Sequence, residues 1–176
     1  MKLHVDRIEE SPKRLDYEER VEDLNARLAG GAPDYRFTEP LHVGLDYYRA
    51  GEDVVFDGSI RGAATATCAR CAEEFRLPLD VPVRAVLAPR VPEAAPSGEV
   101  VEEDLGLGTF EGDEIDVTEL VDEHVILALP TRPLCTDACR GLCPQCGANL
   151  NAAACGCAAA RDASPFAVLR TLERKS

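Results

Sequence analysis

The chain has 176 residues and a formal net charge of −13; 45% of its residues are hydrophobic and it has no tryptophan. That length suits one domain with an appendage or two small domains, with Leu, Val and Ala supplying most of the burial. No apolar run approaches the ~20 residues of a membrane span. The opening MKLHVDRIEESPKRLDYEER has neither a hydrophobic signal core nor the acid-poor composition of a transit peptide. A reducing cytoplasm is therefore the expected compartment, where closely spaced cysteines read as metal ligands or redox thiols before disulfides. The charge is uneven: twelve Asp/Glu and no Lys or Arg lie between Val91 and Thr131, while residues 132–176 hold six basic and three acidic side chains. A broad clamp on a nucleic-acid backbone is disfavoured by that balance, but a small basic face near the tail is allowed.

In chain order, MKLHVDRI alternates loosely and reads as an opening strand. RLDYEERVEDLNARLAGG, from Arg14 to Gly31, spaces Leu15, Val21, Leu24 and Leu28 as one helix, with Gly30 and Gly31 as its stop. From Tyr35 to Pro89, runs rich in Val, Thr, Phe and Tyr are punctuated at Ala50–Gly51 and around Cys68–Cys71, which predicts an antiparallel meander. The acidic, Pro- and Gly-rich stretch from Arg90 to Glu114 reads as a loop. IDVTELVDEHVILALP then predicts a helix capped by Asp116, with Glu119 at capping-box spacing. Its apolar face is Val117, Leu120, Val121, Val125 and Ala128, Pro130 ends it, and its wholly apolar last turn is expected to be buried. SPFAVLRTLERKS predicts a short tail helix with Ser164 as N-cap and Pro165 at its first position.

The expected fold class is α+β: an antiparallel β meander or partly open barrel with a few helices and a C-terminal zinc-knuckle module. The expected divisions are a β-rich domain over 1–110 with its acidic loop from about 91, a connecting helix over 111–134, a cysteine-rich zinc module over 135–157 and a tail helix over 158–176.

Eight cysteines carry the chemistry. CPQCG, from Cys143 to Gly147, is a knuckle sequence: two intervening residues let both sulfurs reach one ion, and the glycine can take the positive φ that turns backbone N–H groups toward sulfur. With Cys155 and Cys157 it completes a tetrathiolate inside fifteen residues. Cys135 and Cys139 are then left over, and so are Cys68 and Cys71 in the CARC turn. Joined, these four make a second site and leave no cysteine unused. An exchanged arrangement, with Cys68 and Cys71 beside Cys143 and Cys146, uses the same eight ligands. An all-thiolate set favours zinc, two ions here, over hard cations and leaves an iron site open.

The histidines His4, His42 and His124 lie outside the cysteine cluster and are not expected to be ligands. There is no P-loop, no G-x-S-x-G and no G-x-G-x-x-G after a strand, so neither an enzyme nor a small-molecule substrate is expected. Basic residues near the thiols and in the tail, Arg70, Arg132, Arg140, Arg161, Arg170 and Arg174, are the candidate contacts to a partner.

CARC after a β segment, then IDVTELVDEHVILALP, PLCTDACRGLCPQCGANLN and SPFAVL in this order resemble the YceD family of large ribosomal RNA subunit accumulation proteins. The resemblance runs from about Leu15 to Leu172 and is most specific from Glu114 to Asn151. It implies a role in accumulation or processing of 23S rRNA and in large-subunit assembly, with no known enzymatic activity. The partner it implies is precursor rRNA or a large-subunit ribosomal protein; family genes commonly neighbour that of a small zinc-ribbon ribosomal protein. Cys68 and Cys71 match the family's CxRC element, and Cys135 to Cys157 match a terminal cluster that some relatives largely lack. The alternative function is a redox-sensitive zinc-thiolate protein or chaperone, in which oxidation releases metal and exposes apolar surface.

Overall fold

The structure is a computed structural model and describes residues 1–90 and 107–157. Lys2–His4 (β1) is followed by a single 3-10 turn, Val5–Arg7. Lys13–Glu19 (β2) precedes a helix, Glu22–Gly31 (α1). Then come Tyr35–Phe37 (β3), Leu41–Ala50 (β4), Asp53–Thr67 (β5) and Glu74–Pro89 (β6). Leu107–Phe110 (β7), Glu114–Asp116 (β8) and the helix Val117–Ala128 (α2) complete the regular elements among the described residues. This is a mixed α+β fold.

The main sheet runs β2-β4-β5-β6-β7, and β3 also pairs with β5. β5 is long enough for two successive strands to share one of its edges: β4 lies opposite Asp53–Arg61 and β3 opposite Ala64–Ala66. The sheet is open, since β2 and β7 do not pair with each other among the described residues. β6 carries Pro78 and Pro82 within its length. Both lie where β6 is paired only with β5, because β7 reaches only Val86–Pro89. The missing proline N–H groups therefore cost no ladder bond on the free side. β1 and β8 form a separate two-stranded pair.

Alternation along the strands puts Val43, Leu45, Val54, Phe56, Ile60, Val81 and Val83 into the core. α1 adds Leu24 and Leu28, and α2 adds Val117, Leu120, Val121 and Val125. Each such side chain contributes about 1.5–3 kcal/mol on burial. The opposite face of the sheet is charged, with ion pairs directly across strands at Arg14–Asp46, Asp57–Arg84 and Arg61–Asp80. Exposed pairs of this kind are worth about 0–1 kcal/mol each, so they favour register more than stability.

Three expectations are corrected. Helix does not extend back to Leu15: Lys13–Glu19 is a strand with alternating exposure, and Leu15 faces Leu45 across the ladder. Part of the stretch expected as loop is strand, since β7 lies parallel to β6. The last turn of α2 is not buried all round, because Leu127 is 76% exposed while Val125 is fully buried. α2 packs by one side only, and these two side chains sit about 200° apart around its axis. The predicted tail helix and most of the predicted acidic loop lie outside the described residues.

Candidate metal centre

The tip of the β5–β6 hairpin is the CARC turn. Its backbone folds as a knuckle: Cys68 N–H donates to Glu73 O at 2.9 Å and Ala72 N–H donates to Cys68 O at 2.9 Å. CPQCG repeats that pattern, with Cys143 N–H donating to Ala148 O at 2.8 Å and Gly147 N–H to Cys143 O at 2.9 Å. The residue after the second cysteine has positive φ in both, +57° at Ala72 and +72° at Gly147. Only the positive φ of the first turn had no sign in the sequence, because alanine stands where the second turn has glycine.

The eight free thiols gather in two tetrads, Cys68, Cys71, Cys135 and Cys139, and Cys143, Cys146, Cys155 and Cys157. Within each, the sulfurs all lie within 4.8 Å of one another. The grouping sets Cys68 and Cys71 with Cys135 and Cys139, not with Cys143 and Cys146 as in the exchanged arrangement. In the first tetrad Cys68 Sγ is 3.7 Å from Cys139 Sγ and Cys71 Sγ is 3.8 Å from Cys135 Sγ. Four sulfurs held tetrahedrally at about 2.3 Å from zinc are about 3.8 Å apart, whereas a disulfide needs about 2.05 Å. The donor set and its spacing therefore fit a four-coordinate thiolate metal, and both tetrads could hold an ion.

The two sites differ in exposure. Cys68, Cys71 and Cys139 are buried and Cys135 is half-buried, whereas Cys146 and Cys157 are exposed. Thiols in both tetrads are prepared for charge, Cys68 and Cys139 in the first and Cys143 in the second. Burial pushes the Cys68 thiol up, but N–H groups of Cys135, Cys71 and Arg70 outweigh it and bring it down to about 6. Backbone N–H groups of Cys146 and Gln145 draw Cys143 down to about 6. Burial, then hydrogen bonds with the other thiols, raise Cys135 to about 12. Cys157 is raised to about 12 by its hydrogen bond with Cys146 and by burial. Close thiolates repel, so later protons leave with difficulty, and a cation would relieve that repulsion.

Arg70 sits at the tip as its sequence position suggests, but its side chain is occupied. Its guanidinium donates to Cys139 O at 2.9 Å and to Asp137 O at 3.2 Å, clasping the Cys135–Cys139 turn. Its own carbonyl accepts from Leu142 N–H at 3.0 Å. Gly141, with φ +72°, lets the two backbones meet: a Cβ there would lie 3.0 Å from Arg70 O. Ala69 N–H donates to Pro133 O at 2.8 Å, which brings exposed Arg132 to the same end of the molecule. Arg140 is exposed there too, and among the described residues neither it nor Arg132 has a carboxylate partner. Arg161, Arg170 and Arg174 lie outside the described residues.

The histidines stand apart from both tetrads. His4 faces Glu114, His42 lies between Glu18 and Asp16, and His124 Nδ1 is 2.9 Å from Leu120 O. Sequence reasoning missed Asn149 and Asn151. Asn151 Nδ2 lies 3.3 Å from Cys139 Sγ, and that donor is the foremost influence holding the Cys139 thiol below its ordinary value. Amides at such positions carry no ligand signal in sequence.

A family model described as large ribosomal RNA subunit accumulation protein YceD matches residues 56–173, more than half of the chain and inclusive of every cysteine. The chain belongs to the YceD family. The similar proteins include an uncharacterized protein of Mycobacterium tuberculosis, 33% identical over 110 residues, covering 62% of this chain and 51% of that one. Two plant YceD relatives are named large ribosomal RNA subunit accumulation protein YCED homolog 1, chloroplastic. The Arabidopsis thaliana one is 26% identical over 166 residues, covering 78% of this chain and 50% of its own length. The Zea mays one is 28% identical over 169 residues, covering 81% and 57%. The chain spans about half the length of the curated relatives it matches. No solved structure matches it. No helix among the described residues is long and apolar enough to cross a membrane.

Proposed function

We propose that this YceD chain is a non-catalytic, zinc-stabilised factor that supports accumulation and processing of 23S rRNA and assembly of the large ribosomal subunit. It acts by binding precursor rRNA or a large-subunit ribosomal protein. The observation that carries the reading is the pair of four-thiol clusters, in a family whose plant members are named for large-subunit rRNA accumulation. Cys68, Cys71, Cys135 and Cys139 would hold one zinc ion, and Cys143, Cys146, Cys155 and Cys157 the other. Zinc so held supplies a cross-link and no open coordination position, because four thiolates complete its shell. That is the basis for reading the chain as a binding scaffold and not an enzyme. The acidic balance favours contact over a limited surface, and exposed Arg132 and Arg140 beside the first tetrad are the first candidates. Free thiols in this number suit a reducing compartment, the cytoplasm in this reading.

The test is sedimentation of cell extract on a sucrose gradient at near-physiological salt, with the protein located by antibody and 23S precursor by probe. Co-migration with large-subunit precursors that collapses after RNase is expected, and Arg132→Glu with Arg140→Glu should weaken it. A protein found only in the soluble top fractions, with or without RNase, contradicts stable residence on precursor particles.

The exposed sulfurs of Cys146 and Cys157 favour a second reading, a redox-sensitive zinc-thiolate protein. It requires mild peroxide to eject zinc and switch on a binding activity. Zinc that stays bound under that treatment rules it out.

A further inference from the structure

We infer that Asn151 couples the two metal centres, so that an ion in either tetrad raises the affinity of the other. The inference rests on the two-metal reading above. Asn151 belongs to the loop between Cys146 and Cys155, which the second tetrad closes, yet its side chain reaches the first. Its orientation is fixed by the backbone. Arg140 N–H donates to Asn151 Oδ1 at 2.7 Å, so the oxygen must face Arg140 and the amide nitrogen must face Cys139 Sγ, 3.3 Å away.

Asn149 holds this arrangement in place. Its Oδ1 accepts from Asn151 N–H at 2.9 Å and from Asn151 Nδ2 at 3.0 Å. The same donor-only logic turns Asn149 Nδ2 toward Glu73 Oε1, at 3.3 Å. Glu73 is the residue whose carbonyl accepts the Cys68 N–H in the first knuckle. Leu150 N–H donates to Gly141 O at 2.9 Å, and Leu142 and Asn149 form a β-bridge. The loop of the second tetrad is thus stitched to both halves of the first.

A hydrogen-bond donor aimed at a buried thiolate spreads its charge and fixes its direction, and such outer contacts typically change metal affinity 10–100-fold. The donor is held only while its loop is held. An ion at Cys143, Cys146, Cys155 and Cys157 ties both ends of that loop, so it presents Asn151 to Cys139. Linkage requires the reverse effect to be of equal size.

The test is equilibrium competition of the zinc-loaded, reduced full chain against a chromophoric chelator, which gives a Kd for each ion. Wild type should bind two ions cooperatively. Asn151→Ala should abolish the cooperativity and weaken the first tetrad about 10-fold or more. Cys157→Ser, which opens the second tetrad, should weaken the first by a similar factor, and the double variant should lose nothing further at that site. Asn151→Asp keeps the oxygen for Arg140 N–H but sets a carboxylate oxygen where the donor faced sulfur and Asn149 Oδ1, so it should weaken the first tetrad at least as much, and it serves if the alanine variant does not fold. Two independent ions in wild type, unchanged affinities in Asn151→Asp, or additive losses in the double variant would overturn the coupling and leave the two-metal reading standing. Failure of wild type to carry zinc would overturn both.

Discussion

Asp122 is 1% exposed on the inner side of α2, and its only charged counterpart within ion-pair distance among the described residues is Arg27 Nε of α1, at 3.5 Å. The Oδ2 atom has no hydrogen-bond partner. Burial is the largest influence and raises its carboxyl pKa, Arg27 opposes it, and Glu19, Asp23 and Asp116 raise it further. A raised value means that the folded state holds the proton more tightly than the unfolded chain. The stabilisation is complete below the ordinary value of 3.8 and is lost as pH rises through the folded value. Asp122→Asn should therefore flatten the fall in stability above pH ~4 and raise Tm at neutral pH, measured by thermal unfolding across pH. Arg27→Ala should destabilise at neutral pH, by less than the ~3–5 kcal/mol of a fully buried pair because Arg27 is half in solvent, and Asp122→Asn should cancel that loss. An Asp122→Asn chain with an unchanged pH profile would show that this carboxyl is not the titrating group. The aspartate was invisible in the sequence because its position reads as one polar residue in an amphipathic helix. Arg70 was legible as a tip residue, but its use as a clasp on two carbonyls depends on a turn 67 to 69 positions away.

At the scale of elements, the two knuckles share one backbone design with different residues at the turn. A left-handed residue other than glycine costs about 1–2 kcal/mol, offset in part by glycine's greater freedom when unfolded. Ala72→Gly is therefore expected to leave stability unchanged or raise it by up to about 1 kcal/mol, whereas Gly147→Ala should lower it by about 1 kcal/mol and loosen metal at the second tetrad. Loss of stability on Ala72→Gly, followed by chemical denaturation, would contradict the shared design. Strands β4, β5 and β6 were readable from alternation and punctuation, and α2 from its N-cap, where Asp116 Oδ1 accepts from Thr118 N–H at 3.0 Å. β2 was not, because Leu15 fits both the alternation of a strand and the spacing of the helix that follows. Pairing with β4 decides between them. β7 lies in a glycine-rich stretch whose strand character comes from its partner, β6.

For the whole molecule, the first tetrad joins Cys71 at the hairpin tip to Cys135 beyond α2, 64 positions away. A metal ion held across that span would be part of the folding free energy. Chelation under reducing conditions, or Cys71→Ser, should lower Tm by about 10 °C or more, on the scale of ~2–4 °C per kcal/mol for a chain of this size. Loss should be larger for Cys71→Ser than for Cys157→Ser, since the second tetrad closes only a local loop. Count and spacing of the cysteines made two four-thiol clusters legible in the sequence but left open which pairs share one; the amides that bridge them were not legible, because their role exists only after folding. The most direct measurement is native mass spectrometry of the full chain purified without reductant or added metal. Two zinc ions per chain with all eight cysteines free of disulfides is the predicted mass. A metal-free chain, or one whose mass shows paired cysteines, would contradict the account.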